Sequence, residues 1–203
     1  MCYLGVKRIV DILCSLLGII LLIPATIMIK ICYLMLHDHA PVFYRQERVG
    51  KDGKKIWILK FRTMGMDADQ VLENLLKDEE YRIEWEKNQK LENDPRLTRI
   101  GRWLRRTSID ELPQMLNILK GDMSLVGPRP LVEGELEAHD GLKLYQRVKP
   151  GLTGWWGCNG RSNIDYRERL ELEYYYVKNC SFYLDMLCVF RTFFAVVTRE
   201  GAE

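Results

Sequence analysis

The sequence predicts a mostly helical α+β protein. Three observations support this fold class: a long apolar segment near the N-terminus, one strong β-hairpin signal, and several amphipathic segments with helical periodicity. The 203 residues suffice for one core and are too few for an additional large domain. We therefore expect residues 1–40 to form a membrane anchor and residues 41–203 to form one compact cytosolic domain.

The anchor is predicted from the apolar segment between Ile9 and Leu36, which exceeds the about 20 residues needed to cross a bilayer. Pro24 lies within this segment, and basic residues flank both of its ends. Because basic loops tend to stay cytoplasmic, the pattern favours a re-entrant helix that bends at Pro24 and returns to the same side. An ordinary spanning helix that contains a proline is the alternative.

A β-hairpin is predicted from two strand-like segments, Val42–Val49 and Lys55–Arg62. The dipeptide Asp52-Gly53 between them is a strong turn signal. Strand alternation would place Lys60 and Arg62 on one face, so both cations are expected to reach one site. The alternative is that this face of the strand is merely solvated.

Amphipathic helices are predicted in three further segments. The charged segment Asp67–Asn93 fits one or two surface helices. The segment Leu97–Arg106 combines an apolar face with arginines suited to an anionic membrane surface, to phosphate groups or to plain solvation. The segment Ser181–Arg199 is so widely apolar that it either docks at a membrane interface or packs on the core.

Charge and cysteine content exclude two classes of protein. The net charge of +2 gives no reason to expect a nucleic-acid partner. The six cysteines form no CxxC pair, and two of them lie in the apolar N-terminal segment. We therefore expect reduced thiols in a cytosolic setting rather than a disulfide framework or a zinc site.

The segment from Arg105 to Pro130 carries the most chemical information. It places two adjacent acids, Asp110 and Glu111, among several cations. The cations are Arg105, Arg106, Lys120 and Arg129. A carboxylate can attack phosphorus only when surrounding cations cancel its repulsion with the substrate, so this segment predicts a site for phosphate chemistry.

The acid pair also has a purely structural interpretation. Ser108 and Glu111 have the spacing of a helix capping box, and Pro113 suits a first helical turn. A position near a helix N-terminus would favour the ionised form of Asp110 and would also attract phosphate. Adjacent helical side chains point about 100° apart. One acid is therefore expected to attack phosphorus, while the other binds a metal or supports the site.

Two loops supply further candidate ligands. Arg129 lies between two prolines that restrict its backbone, which suits bidentate phosphate recognition, although an exposed turn is the alternative. The glycine-rich segment Lys149–Arg161 has neither the GxGxxG nor the GxxxxGK(S/T) spacing of the common nucleotide-binding folds. Its Trp155, Asn159 and Arg161 offer stacking and hydrogen bonding for a nucleotide or sugar, and a packed turn is the alternative.

Five blocks in order resemble the bacterial sugar transferases of the monotopic phosphoglycosyl transferase family, in its small form with a catalytic domain only. They are KRIVDILCSLLGIILLIP, KFRTM, DPRLTRIGRWLRRTSIDELPQ, NILKGDMSLVGPRP and RVKPGLTGWWGCNGR. The resemblance implies transfer of a sugar 1-phosphate from a UDP-sugar to undecaprenyl phosphate, with release of UMP. It also implies a covalent aspartyl intermediate and initiation of glycan, capsule, exopolysaccharide or O-antigen assembly.

The resemblance also implies roles for residues. Asp110 is expected to be the nucleophile, and Asp110 and Glu111 are expected to hold Mg²⁺. Substrate phosphates are expected to bind four cations: Lys60, Arg62, Arg106 and Arg129. The nucleotide and sugar are expected to bind Trp155, Asn159 and Arg161.

The implied location is the cytoplasmic face of the bacterial inner membrane, with amphipathic helices at the interface. Downstream glycosyltransferases and a second copy of the chain are candidate partners. One departure concerns the re-entrant bend, because the Ser-Pro break of close relatives is Ile23-Pro24 here. A membrane-bound, metal-dependent phosphohydrolase and a non-catalytic sugar-nucleotide sensor are the alternative functions.

Overall fold

The computed structural model describes residues 2–88, 91, 93–135, 141–159, 164 and 166–198, and every structural statement below concerns these residues. They confirm a mostly helical α+β protein. The helices are α1 (Cys2–Met35), α2 (Ala68–Leu75), α3 (Glu79–Asn88), α4 (Arg99–Arg106), α5 (Gln114–Lys120), α6 (Leu142–Tyr145), α7 (Tyr166–Asn179) and α8 (Phe182–Thr198). The strands are β1 (Phe43–Val49), β2 (Lys55–Phe61), β3 (Ser124–Val126) and β4 (Gly151–Thr153), and short 3₁₀ turns cover Lys51–Gly53 and Ile109–Glu111.

Helix α1 presents one stripe to the rest of the chain and leaves its other face exposed. The buried stripe follows helical spacing: Asp11, Ser15, Gly18, Leu22, Ile29 and Tyr33. Large apolar side chains such as Leu17, Ile20 and Ile23 are more than half exposed on the outside. Among the described helices, α1 alone is long and apolar enough to cross a membrane, by length and composition.

The helix continues through Pro24, whose ring nitrogen cannot donate to the preceding turn. The hydroxyl of Thr26 donates to the carbonyl of Leu22 at 2.7 Å, so a side chain supplies a hydrogen bond beside the proline. The re-entrant path through the membrane and the boundary at residue 40 stay predictions.

The predicted hairpin forms where the Asp-Gly signal places it. Strands β1 and β2 pair antiparallel, from Phe43 opposite Phe61 to Val49 opposite Lys55. Asp52 and Gly53 have φ angles of 57° and 72°, the left-handed conformation that favours this dipeptide in tight turns. The hairpin is therefore a local consequence of the sequence.

Helix α5 is fixed against β2 by one buried amide. Asn117 accepts a hydrogen bond from the backbone N–H of Leu59 at 3.0 Å and donates to the carbonyl of Trp57 at 2.7 Å. Because α5 follows the acid pair directly, this amide fixes the position of Asp110 and Glu111 relative to the hairpin.

Helix α4 is pressed against the chain that follows β2. The hydroxyl of Thr98 caps the helix by accepting from the N–H of Gly101 at 2.8 Å. A Cβ atom on Gly101 would overlap the carbonyl oxygen of Thr63, so only glycine allows this approach. Leu104 of the same helix is buried in the cluster that contains Leu22 of α1.

The start of α1 also holds two elements of the domain. The guanidinium of Arg8 donates to the carbonyls of Ile118 and Leu119, at 2.6 and 2.7 Å, at the C-terminal end of α5. The buried carboxylate of Asp11 accepts from the N–H of Leu125 in β3 at 2.8 Å. Helix α1 is therefore part of the scaffold of the domain.

Candidate active site

The acid pair lies on a 3₁₀ turn between α4 and α5, close to α1. Ser108 precedes the turn in the left-handed conformation, with φ of 55°. Asp110 is 7% exposed, whereas Ile109 and Leu112 pack against the core cluster shared with α1. Of the two acids, only Asp110 is buried.

Burial dominates the electrostatics of Asp110. It raises the pKa of the carboxyl to about 6, and the adjacent Glu111 raises it further, while Lys60 and Arg105 act in the opposite direction. The net shift is therefore opposite to the one expected from a helix N-terminus, because burial outweighs the interactions that favour the ionised form. At pH 7 a carboxyl with this pKa is still about 90% ionised, and it is more basic than an exposed aspartate.

The capping-box interpretation of Glu111 is also wrong. The side chain of Ser108 makes no capping hydrogen bond within the described structure, and α5 begins only at Gln114, after Pro113. The carboxylate of Glu111 instead accepts from the ammonium of Lys60 at 2.7 Å. Glu111 therefore connects the acid pair to the hairpin.

Arg105, rather than Arg106, is the arginine of α4 that acts on the acid pair. Arg105 is largely buried, its Nε donates to the hydroxyl of Thr63 at 3.3 Å, and its charge favours ionisation of Asp110. Burial lowers the pKa of Arg105, although Asp110 favours its charged form. Arg106 is exposed. The signal that could have identified Arg105 is its spacing of one helical turn from Gly101, the residue in contact with Thr63.

Arg62 does not join Lys60 at this site. Strand β2 ends at Phe61, and Arg62 is 5% exposed with all three of its nitrogens engaged. The guanidinium donates to the carbonyls of Pro41 and Met64 and to the carboxylate of Asp38, at 2.8, 3.0 and 2.7 Å. The expectation that both cations reach one site is therefore corrected, since strand alternation stops before Arg62.

Arg129 lies in a different group of charges. Its Nη1 donates to the carboxylate of Glu135 at 3.0 Å, and its backbone N–H donates to Glu173 at 3.1 Å. The charges that act most strongly on the pKa of Asp110 are Glu111, Lys60 and Arg105, and not Arg129. The structure thus brings Lys60 and Arg105 to the acid pair and leaves Arg129 elsewhere.

The glycine-rich segment is supported by α8. Asn159 donates to the carbonyl of Trp155 at 2.7 Å, so these two predicted ligands are neighbours. The guanidinium of Arg191 lies 5.1 Å from the centre of the Trp155 ring and also donates to Asn159. Arg161 lies outside the described residues.

The acid pair is a limited donor set for a metal. Within the described residues, no group of three or more His, Cys, Asp or Glu side chains is arranged to hold a metal ion. Mg²⁺, however, commonly uses one or two carboxylates together with substrate phosphates and water. A pair of carboxylates whose mutual repulsion raises one pKa fits that mode of binding.

This fold and site define a class: a mostly helical α+β protein in which one buried carboxylate, flanked by two cations, lies against a long apolar helix. The model of the family described as Bacterial sugar transferase matches residues 2–199. The chain belongs to this family, as the five sequence blocks indicate.

Similar proteins cover almost the whole chain. The chain is 46% identical over 198 residues to the undecaprenyl-phosphate galactose phosphotransferase of Salmonella typhimurium, covering 97% of the chain and 41% of that protein. It is 41% identical over 198 residues to the exopolysaccharide production protein ExoY of Rhizobium meliloti, covering 97% of the chain and 87% of ExoY. It is 39% identical over 206 residues to the UDP-glucose:undecaprenyl-phosphate glucose-1-phosphate transferase of Escherichia coli. This match covers 97% of the chain and 41% of that protein. The chain thus spans about two fifths of the length of two of these relatives.

Proposed function

We propose that this protein transfers a sugar 1-phosphate from a UDP-sugar to undecaprenyl phosphate and releases UMP. The observation that carries the proposal is the buried carboxylate of Asp110 between the charges of Lys60 and Arg105. The names of two relatives, a galactose phosphotransferase and a glucose-1-phosphate transferase acting on undecaprenyl phosphate, support the same reaction.

In the first half-reaction, an oxygen of Asp110 attacks the phosphorus that carries the sugar. An Asp–O–P bond forms, the bond from that phosphorus to the oxygen of UMP breaks, and UMP leaves with the electron pair. The raised pKa makes Asp110 a better nucleophile than an exposed aspartate, while neutral pH keeps it ionised. Lys60 and Arg105 reduce the repulsion between the carboxylate and the diphosphate.

In the second half-reaction, an oxygen of undecaprenyl phosphate attacks the same phosphorus. The bond to Asp110 breaks, and the carboxylate is regenerated for another cycle. Because the acid pair lies beside α1, an acceptor held in a membrane would meet it at the apolar helix. A monotopic enzyme on the cytoplasmic face of the bacterial inner membrane, initiating assembly of a polysaccharide, suits this arrangement.

Glu111 and Asp110 would hold Mg²⁺, whose charge would neutralise the diphosphate when it is bound. Glu111 has a further task that the structure supports directly. Its hydrogen bond to Lys60 orients the ammonium beside Asp110, so the cation is in place before the substrate arrives.

The test is UMP release by detergent-purified protein from a panel of UDP-sugars, with and without undecaprenyl phosphate. We expect repeated UMP release only with the acceptor. Without the acceptor we expect at most one UMP per protein, together with a covalent sugar-phosphate adduct detectable by mass spectrometry. Asp110→Asn should abolish both signals. Asp69→Asn, which changes an exposed acid of α2, serves as the matched control and should retain activity.

Three results would contradict the proposal in different ways. Full activity of Asp110→Asn would exclude Asp110 as the nucleophile. Release of sugar phosphate or inorganic phosphate to water, without the acceptor, would indicate a phosphohydrolase. Binding of UDP-sugars without turnover under any condition would indicate a sensor.

A further inference from the structure

The Gly-Pro-Arg-Pro loop, residues 127–130, has a single backbone donor between its two prolines. Proline has no N–H, so within Pro128-Arg129-Pro130 only Arg129 can donate. That N–H donates to a carboxylate oxygen of Glu173 in α7 at 3.1 Å. The carbonyl of Arg129 accepts from the hydroxyl of Tyr145, the last residue of α6, at 2.8 Å. Two side chains therefore hold both backbone polar groups of one residue, and we refer to Glu173 and Tyr145 as the loop clamp.

Both members of the loop clamp are buried. Glu173 is 1% exposed and Tyr145 is 5% exposed. The hydrogen bond to the loop is the only one that Glu173 makes within the described residues, and its second carboxylate oxygen is buried without a partner. Burying a carboxyl group in this way costs stability, which an apolar side chain at the same position would avoid. The contact with the loop is therefore what distinguishes Glu173 from an ordinary core residue.

The loop clamp does not require a charged carboxylate. Burial raises the pKa of Glu173 to about 7, although the hydrogen bond from Arg129 and the charges of Arg169 and Arg129 oppose this shift. The carboxyl is therefore close to half ionised at neutral pH. A neutral carboxyl still has an oxygen that accepts a hydrogen bond, and so does the amide of glutamine. Glu173→Gln should therefore preserve the clamp, and Glu173→Leu should abolish it.

The residues on either side of Arg129 are attached to the rest of the domain. The carbonyl of Pro128 accepts from the N–H of Gly151, in the glycine-rich segment, at 2.8 Å. The carbonyl of Pro130 accepts from the guanidinium of Arg48 in β1 at 3.4 Å. Between these two attachments, within the part of the chain that the structure describes, only the loop clamp holds the backbone of Arg129.

The hairpin connects this loop with the acid pair. Arg48 lies opposite Ile56 across the hairpin, and Lys60 lies four residues further along β2. The side chains of Arg48 and Lys60 project from the same face, because cross-strand partners share a face and alternation has a period of two. At about 3.3 Å per residue, the two positions are about 13 Å apart. The loop therefore lies on the same side of the hairpin as the acid pair, at a distance suited to the far end of an extended substrate.

We propose that Glu173 and Tyr145 are positioning residues that fix the backbone of Arg129, so that this side chain meets the donor from a preformed loop. The inference rests on the proposed function, in which the loop is expected to contact the UDP-sugar. Both residues act through the amide and the carbonyl of Arg129 and not through the reacting atoms. A loop that is ordered before the substrate arrives loses less conformational entropy on binding. Loss of the clamp should therefore weaken donor binding and leave the chemistry at Asp110 largely unchanged.

The clamp itself is tested without substrate, by hydrogen–deuterium exchange of the full chain in detergent. Arg129 provides the only exchangeable backbone amide of residues 128–130, so the signal of this segment is specific. We expect slow exchange in the wild-type chain and in Glu173→Gln, and fast exchange in Glu173→Leu. Glu171→Leu, at an exposed acid of the same helix, is the matched control and should exchange slowly. Slow exchange in a folded Glu173→Leu protein would overturn the proposal.

The consequence for the reaction is tested by steady-state kinetics with a UDP-sugar and undecaprenyl phosphate. Glu173→Leu should raise the KM for the donor about tenfold or more, while kcat changes by less than about threefold. Tyr145→Phe, which removes one hydroxyl group, should raise this KM about three- to tenfold. Glu173→Gln should restore the wild-type KM. Fast exchange with an unchanged KM would show that the clamp has no positioning role, and a fall in kcat at unchanged KM would assign the effect to the acid pair.

Failure of the proposed function gives a different result from failure of this inference. A wild-type chain that releases no UMP from any UDP-sugar would refute the transfer reaction and the positioning role together. An active wild-type chain whose donor KM is unaffected by Glu173→Leu would refute the positioning role alone. Thermal melting checks that each variant is folded, and Tyr145→Phe decides the outcome if Glu173→Leu unfolds.

Discussion

The ammonium of Lys60 and the carboxylate of Glu111 lie 2.7 Å apart, in an ion pair between the hairpin and the turn that carries Asp110. The same lysine also favours the ionised form of Asp110. One cation therefore serves two adjacent acids in different environments. The half-buried acid holds the lysine, and the buried acid uses its charge.

The first prediction concerns pH. Because the pKa of Asp110 is about 6, the value of kcat/KM should fall about tenfold per pH unit below pH 6 and level off above it. Lys60→Met should raise this pKa and shift the acid side of the profile to higher pH. Lys77→Met, at an exposed lysine, is the control. A profile that is flat down to pH 5 would contradict the raised pKa.

The second prediction is that Asp110→Asn stabilises the fold at alkaline pH. An acid with a raised pKa binds its proton more tightly in the folded state, so its contribution to stability is lost as pH rises from about 4 to about 6. Above pH 7, removing the buried charge should increase the free energy of unfolding by up to about 3 kcal/mol. Urea unfolding at pH 5 and pH 8 measures the difference.

The gain should shrink toward pH 4, where both side chains are neutral. Asp69→Asn should show neither the gain nor its pH dependence. A loss of stability at pH 8 would mean that the ionised Asp110 contributes more through its cations than its burial costs.

The third prediction concerns the contact between Gly101 and Thr63. Gly101→Ala should reduce the free energy of unfolding by about 1–3 kcal/mol, because the new methyl group must displace α4 or the chain around Thr63. The displacement should also lower kcat/KM, since Arg105 lies on the same helix. Gly5→Ala, where the added methyl group meets open space in α1, should be neutral or slightly stabilising. Equal effects of the two substitutions would refute the contact.

The fourth prediction separates Arg62 from Arg105. Arg62→Met should cost about 3 kcal/mol of stability, because one oxygen of Asp38 and the carbonyls of Pro41 and Met64 lose the guanidinium donor. It should leave the KM of the folded enzyme unchanged. Arg105→Met should lower kcat/KM by tenfold or more. Denaturation and steady-state kinetics measure both. A rise in KM confined to Arg62→Met would restore Arg62 as a phosphate ligand.

Local patterns were enough for the hairpin and for several helices, including α4 and α8, but they did not indicate α6 or α7. The Asp52-Gly53 turn depends on a backbone conformation that these two residues adopt readily, and apolar periodicity identifies α4 without knowledge of its partner. Both signals are confined to a few neighbouring residues, so the rest of the chain does not alter them.

The choice of cations required tertiary information. Strand alternation indicated that Arg62 accompanies Lys60, but the strand ends one residue earlier and Arg62 turns to Asp38. The choice between Arg105 and Arg106 depends on which side of α4 faces Thr63, and the glycine that permits this contact is informative only once its neighbour is known. The raised pKa of Asp110 likewise comes from burial, which the sequence around it does not reveal.

The polar side chains in the first turns of α1 have a practical consequence. Because Arg8 holds the C-terminal end of α5 and Asp11 holds β3, deleting the N-terminal helix to obtain a water-soluble fragment would remove supports of the domain itself. Solubility would have to come from polar substitutions on the outward side of that helix, at positions such as Leu17, Ile20 and Ile23, with the inward stripe left intact. The outward side could then be redesigned for water without altering the scaffold.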